Sequence, residues 1–334
     1  MRRLPVYILI DTSESMVGNA IESVQAGMQM MITELRKNPY ALEMGAVCVI
    51  TFGKGATKLV PLTEVYAFQM PTLSVAPGTA LGEGLKMLDQ SLSADLVRST
   101  PEKKGDFKPL VFILTDGQPT DEWRSAARTL KEHHKSAVVY AIGCGDDVDM
   151  SVLRELTDSS FLMEQMDSAA FAKLFVCISS SVQSASGSIG MGGVQEGPQN
   201  LEKWGDDALV KVDSVEPPRK GQKRQVFIPG ICQKHKLPYL MRYKADDGGN
   251  YVCVAAHKLP ANFPAGEGVK GQTVSSEELN GIMPCPHCGN AGQGTCNCGC
   301  NTCFDVTRGE TLNGQAAFKY TCPSCGTADY FVIG

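Results

Sequence analysis

The chain has 334 residues, enough for two domains, and its 43% hydrophobic and 20% charged content is an ordinary globular balance. A net charge of −5 argues against a dedicated nucleic-acid binder. No uninterrupted apolar run approaches the ~20 residues of a membrane-spanning helix, and the run behind Arg2 and Arg3 is broken by Asp11 before it can serve as a secretory leader. The expectation is a soluble, cytoplasmic protein without a membrane partner. In that reducing setting the thirteen cysteines read as metal ligands more readily than as disulfides. The two halves differ in charge: residues 200–334 hold 14 Lys+Arg against 13 Asp+Glu, and the first 199 hold 17 against 23.

In chain order, Val6-Tyr7-Ile8-Leu9-Ile10 is an unbroken apolar run, the pattern of a strand buried on both faces of a parallel sheet. It opens into Asp11-Thr12-Ser13-Glu14-Ser15. Asp11, Ser13 and Ser15 alternate, so one carboxylate and two hydroxyls can turn toward one point, a hard-oxygen set suited to magnesium or manganese. The same residues also suit the cap of a following helix. Ala20 to Lys37 carries Ile21, Val24, Met28, Met31, Ile32 and Leu35 at helical spacing and ends at Asn38-Pro39. Gly45–Gly53 is a second buried strand, and Lys58–Leu62, with Pro61, is a strand at an edge.

Pro77-Gly78-Thr79-Ala80 reads either as a loop approaching a ligand or as a helix cap at Thr79. Lys108–Leu114 is a third buried strand, and its exit carries Asp116. Asp121–Lys135 is a helix, Ala137–Gly143 a fourth strand, and Met150–Leu156 and Ser168–Val182 are helices around a short strand near Phe161–Met163. Alternating strands and helices imply an α/β, doubly wound, mostly parallel sheet, whose strand exits converge on one crevice.

D-x-S-x-S, then a Thr in a later loop, then an Asp after a core strand resembles the metal-ion-dependent adhesion site of von Willebrand factor A (vWA) domains, over roughly the first 185 residues. The resemblance implies that Ser13, Ser15 and, in some states, Thr79 coordinate the ion directly. It also implies that Asp11 and Asp116 act directly or through water, and that a partner's acidic side chain fills an open position.

Residues 186–221 are expected to be a Gly/Ser-rich, then basic, linker, and residues 222–334 a small β-rich zinc module. Cys285-Pro-His-Cys288-Gly and Cys322-Pro-Ser-Cys325-Gly are two knuckles whose four thiolates suit one tetrahedral zinc. Four more thiols in eight residues, Cys296, Cys298, Cys300 and Cys303, suggest a second ion, with Cys296, Cys298 and Cys303 taken as ligands and the role of Cys300 left open. Cys232-x2-His235 and Cys253-x3-His257 form a further two-Cys, two-His candidate set; ordinary Cys and His in a β-rich module read equally well. A hairpin is expected around Asp246–Asn250.

This layout is similar to the TerY proteins of bacterial tellurite-resistance clusters, with their TerY-C metal-binding domain. That resemblance implies stress signalling alongside a protein kinase and a metal-dependent protein phosphatase. The sequence has no nucleophile elbow, P-loop or HExxH, and no His or Lys in the three motif loops to act as acid or base. The reading is a non-enzymatic adaptor. The alternative is a nucleic-acid-binding regulator acting through the zinc module, which the near-balanced charge of the second half disfavours.

Overall fold

The computed structural model describes residues 2–102, 104–116, 118–145, 148–163, 165–190, 210–211, 225–246, 248–264, 275, 278–296, 298–306, 309–312 and 315–332. The chain divides into two compact units, Met1–Pro218 and Arg219–Gly334.

In the first unit, β1 (Leu4–Asp11), β2 (Gly45–Phe52) and β4 (Leu110–Thr115) are buried along their whole length, as their apolar runs require. With β3 (Ala56–Glu64), β5 (Val138–Cys144), β6 (Ser160–Met163) and β7 (Val210–Lys211) they form one sheet in the order β3-β2-β1-β4-β5-β6-β7. The β2–β1–β4–β5–β6 pairings are parallel; β3 and β7 are antiparallel edges. β1 is central, so its carboxyl end lies between those of β2 and β4.

Alternate side chains of a strand face opposite sides. Accordingly Val6, Ile8 and Ile10 join a core with Val24, Met28 and Leu35 of α1 (Asn19–Lys37) and Phe171, Phe175 and Ile178 of α6 (Ser168–Gly190). Tyr7 and Leu9 face the other side. They pack with Leu85 and Leu88 of α3 (Leu81–Asp95), Leu130 of α4 (Arg124–His133) and Leu153 of α5 (Met150–Leu156). Among the described residues no helix is long and apolar enough to cross a membrane.

Two boundaries depart from the sequence expectation. Asn38-Pro39 ends α1 but also begins α2 (Pro39–Met44): Asn38 Oδ1 accepts from Ala41 N at 3.0 Å, and a proline at the first helical position gives up no hydrogen bond. Helix α6 runs on to Gly190, through the first residues of the Gly/Ser-rich stretch. Small side chains suit close packing there: Ala185 and Ser186 are buried. The remainder of the expected linker lies outside the described residues, apart from β7.

The second unit is β-rich. β8 (Gln225–Ile231), β9 (Pro238–Ala245), β10 (Tyr251–Lys258), β11 (Leu279–Asn280), β12 (Gly292–Thr295) and β13 (Asn301–Phe304) form a sheet in the order β11-β10-β9-β8-β13-β12. β14 (Gly309–Leu312), β15 (Gln315–Thr321) and β16 (Ala328–Val332) form a smaller one. β9 and β10 make the hairpin expected around Asp246–Asn250. The apolar core is small and interleaved with thiols: Val226, Tyr239, Met241 and Tyr243 pack with Cys232, Cys285 and Cys303.

The α1–α6 contact is tight at Gly27, where a Cβ would lie 2.4 Å from a ring carbon of the buried Phe175. Alanine gains about 1 kcal/mol of helix propensity over glycine, yet overpacking a core costs about 1–3 kcal/mol. Gly27→Ala is therefore expected to lower the urea midpoint followed by far-UV circular dichroism. A raised midpoint would mean that α1 and α6 do not pack this closely.

Candidate metal centres

The exit of β1 carries the first site. Ser13 Oγ and Ser15 Oγ lie 2.9 Å apart, and both donate to Asp116 Oδ1, at 3.3 and 2.7 Å. Asp11 is wholly buried: its Oδ1 accepts from Ser13 N at 2.9 Å and its Oδ2 from Thr115 Oγ1 at 2.7 Å. Parallel pairing of Ile10 with Leu114 is what sets Asp11 beside Thr115 and Asp116. None of these side chains caps a helix. The helical turn Glu14–Met16 and α1 both start without a side-chain cap.

Thr79 is buried too, and it does not cap α3, whose first residue follows Ala80. The free amides of α3 at Gly82 and Glu83 donate instead to the Asp121 carboxylate, at 2.9 and 3.0 Å. Thr79 N donates to Thr120 Oγ1 at 3.0 Å, and Thr120 N donates back to Thr79 O at 3.0 Å. The loops after β1, before α3 and after β4 are thus hydrogen-bonded together.

Two buried carboxylates at neighbouring strand ends repel each other. Burial pushes the Asp11 carboxyl up to about 6, against the pull of its Thr115 and Ser13 hydrogen bonds. Asp116 rises well above the usual carboxylate range, from burial first and the Asp11 charge second. A divalent cation among these oxygens would relieve both penalties, and the donor set is hard oxygen throughout.

The second unit holds two further groups. Cys232, Cys285, Cys288 and Cys303 form one, and Cys296, Cys298, Cys322 and Cys325 the other; within each, all sulfurs lie within 4.8 Å. Cys288–Cys303, Cys296–Cys325 and Cys298–Cys322 stand at 3.5, 3.6 and 3.6 Å. Zinc–sulfur bonds of about 2.3 Å give tetrahedron edges of about 3.8 Å, so these spacings fit one ion per group. All thirteen cysteines are free thiols.

This partition corrects the sequence expectation that the two CPxCG knuckles share an ion. Each joins a different group, because Cys285/Cys288 precede β12 in the larger sheet while Cys322/Cys325 lie between β15 and β16 in the smaller one. The β12–β13 hairpin serves both groups. Its tip supplies Cys296 and Cys298 to one, and Cys303 on β13 belongs to the other.

Cys232-x2-His235 proves to be a third knuckle with the geometry of the other two. Cys232, Cys285 and Cys322 each donate their amide five residues ahead, to Leu237, Asn290 and Thr327, and each carbonyl accepts from the residue four ahead. That fourth residue is left-handed in all three: Lys236, Gly289 and Gly326 have φ of 57°, 76° and 75°. The Cys-x2-His spacing was the available signal; the lysine in the glycine position obscured it.

His235 is not among the four clustered residues, although its Nδ1 lies 3.5 Å from Cys232 Sγ. Cys253 and His257 are not brought to either group. They sit on β10, from which β9 and β8 separate β13. Cys253 packs in the core beside Tyr243, and His257 Nε2 is buried without a hydrogen-bond partner among the described residues. Cys300 is buried with its thiol directed to Asn301 O, outside both groups. Within the groups the thiols shift in opposite directions: a hydrogen bond from Cys303 draws the Cys285 thiol down to about 4 and hydrogen bonding to Thr327 draws Cys325 down to about 6, while Cys232, Cys298 and Cys303 are pushed up.

Residues 6–175 match the family model of the von Willebrand factor type A domain. The chain belongs to the vWA domain family. No curated protein sequence matches it. Among solved structures, proximal thread matrix protein 1 from the mussel byssus matches at 16% identity, over 54% of this chain and 48% of that one, with a TM-score of 0.42. The same protein "with zinc occupied MIDAS motif" matches at 17%, over 54% and 48%, with a TM-score of 0.40. BatB from Bacteroides thetaiotaomicron matches at 18%, over 53% and 98%, with a TM-score of 0.37. This chain spans about half the length of the mussel protein. Interaction with other proteins is the role for which vWA domains are generally known, and the match covers the domain that carries the oxygen site.

Two expectations follow from this geometry. A carboxyl raised from 3.8 to about 6 keeps its proton in the folded chain at a pH where the unfolded chain has lost it. Folding then takes up protons, so this group's contribution to metal-free stability falls as pH rises through that window. Without added magnesium, Asp11→Asn should gain in melting temperature on wild type from pH 4 to 6, and magnesium should close the gap above pH 6. A pH-independent difference would contradict the raised carboxyl.

The cysteine partition is tested by bound zinc per chain. Cys285→Ser with Cys303→Ser should lose one equivalent, and Cys285→Ser with Cys322→Ser should lose two. The reverse pattern would restore the shared-knuckle arrangement.

Proposed function

We propose that the chain is a non-enzymatic adaptor with two metal chemistries. The observation that carries this reading is the meeting of Ser13, Ser15 and Asp116 within 3.3 Å, beside buried Asp11, at the carboxyl end of a vWA sheet. Asp11, Ser13, Ser15, Thr79 and Asp116 hold magnesium or manganese, whose retained waters exchange for an incoming ligand. The acidic side chain of a partner protein completes the coordination, so the ion bridges two proteins.

The two cysteine groups hold zinc as structural sites. A core as small as that around Tyr239 and Met241 gains much of its folding energy from such ions. This half then presents a second binding surface at fixed geometry. The resemblance to TerY proteins supplies the setting: a cytoplasmic tellurite-resistance or stress response, with a protein kinase and a metal-dependent phosphatase as partners.

An affinity pull-down in magnesium, wild type beside Asp11→Ala, tests the reading. A kinase or phosphatase recovered by wild type and lost in the variant, with the variant still folded, is expected. Equal recovery would move the binding surface off the vWA ion.

A further inference from the structure

Asp11, Ser13 and Ser15 face Asp116 or its neighbour Thr115. The residues between them face the other way. Thr12 N and Oγ1 both donate to Phe52 O, at 2.8 and 3.2 Å, and Thr12 O accepts from Ala76 N at 2.8 Å. Glu14 Oε2 accepts from Gly78 N at 2.6 Å. One face of the loop addresses the cation position, and the other grips the segment that ends in Thr79.

Glu14 is only 5% exposed. A third carboxylate so close to Asp11 is costly to bury, and its charge adds to the upward push on the Asp11 carboxyl. A neutral side chain would close the same turn at less cost. What the carboxylate adds is a short, charge-assisted hydrogen bond to the backbone of the residue before Thr79. That residue, Gly78, has φ 82°, a conformation that other side chains rarely adopt and glycine readily leaves. Downstream, Thr79 is held through its own backbone by Thr120. Glu14 and Thr120 therefore grip the Thr79 peptide from two sides, one from the β1 loop and one from the β4 loop.

The geometry points to Glu14 as the positioning residue for Thr79: it sets whether the Thr79 hydroxyl reaches the cation or leaves that position to water. This inference rests on the reading of the oxygen cluster as a cation site. Glu14 would act on the cation through Thr79, and its neighbours Ser13 and Ser15 would be ligands from the same loop. Cation engagement by the serines and placement of the threonine are thereby linked through one side chain.

The test uses the full chain with Mn2+ as the probe. Affinity is read from the free-ion electron paramagnetic resonance signal, and bound waters from proton relaxivity. Glu14→Ala should weaken Mn2+ binding by about tenfold, the scale of one hydrogen bond to a charged group, and should add one bound water. Thr79→Ala should do the same. The double variant should be no weaker than either single one, because both remove the same ligand. Glu14→Gln should recover only part of the affinity, since its amide oxygen still accepts from Gly78 N but without the charge. If Glu14→Ala does not fold, Glu14→Asp, too short to reach Gly78, takes its place in the cycle.

Unchanged affinity and water count in Glu14→Ala, or additive losses in the double variant, would overturn the role of Glu14 and leave the cation site standing. Failure of wild type to bind Mn2+ in a manner that Asp11→Ala abolishes would overturn the cation site itself, and this inference with it.

Discussion

The first unit depends on a repulsion. Asp11 and Asp116 are placed at adjacent ends of two parallel core strands, both buried, with hydroxyls as their nearest partners. A fold optimised for stability alone would put neutral residues there. The apolar strands β1, β2 and β4 supply the rigidity that keeps the two carboxylates together, and the loops supply the hydroxyls that share their protons. Such a constellation is costly to bury, and a cation among its oxygens would relieve that cost.

The second unit solves a different problem with the opposite chemistry. Among the described residues its apolar clusters interleave Tyr, Met and Phe with soft thiols, which take positions that a larger domain would fill with Leu or Ile. The β12–β13 hairpin contributes to both thiol groups, so the larger sheet and the three-stranded sheet are joined at the group containing Cys322 and Cys325. The chain thus pairs a hard, oxygen-lined centre suited to exchange with soft, sulfur-lined centres suited to permanence.

Much of this was legible in the residues. The run from Val6 to Ile10 could only be a doubly buried strand, and the alternation of Asp11, Ser13 and Ser15 already aimed three oxygens at one side. Other features depend on relations between distant segments that local patterns do not carry. Asn38-Pro39 reads as a stop signal, yet the same pair caps and starts α2 once α1 has ended. The Ser- and Gly-containing end of α6 has the composition of a linker, yet the helix continues through it, and Ala185 and Ser186 are buried. Which cysteines meet follows from strand order: Cys303 joins Cys232 because β13 lies beside β8, a long-range pairing that spacing alone cannot give. The roles of Thr12 and Glu14 were hidden for the same reason, since their partners Phe52, Ala76 and Gly78 lie in other loops.

The most direct test of two metal chemistries on one chain is a crystal structure grown with Mn2+ and Zn2+, with anomalous data collected at both absorption edges. The account predicts one manganese peak among Asp11, Ser13, Ser15 and Asp116, and one zinc peak at the centre of each cysteine group. Absence of manganese between Asp11 and Asp116, or a single zinc shared by Cys285, Cys288, Cys322 and Cys325, would contradict it.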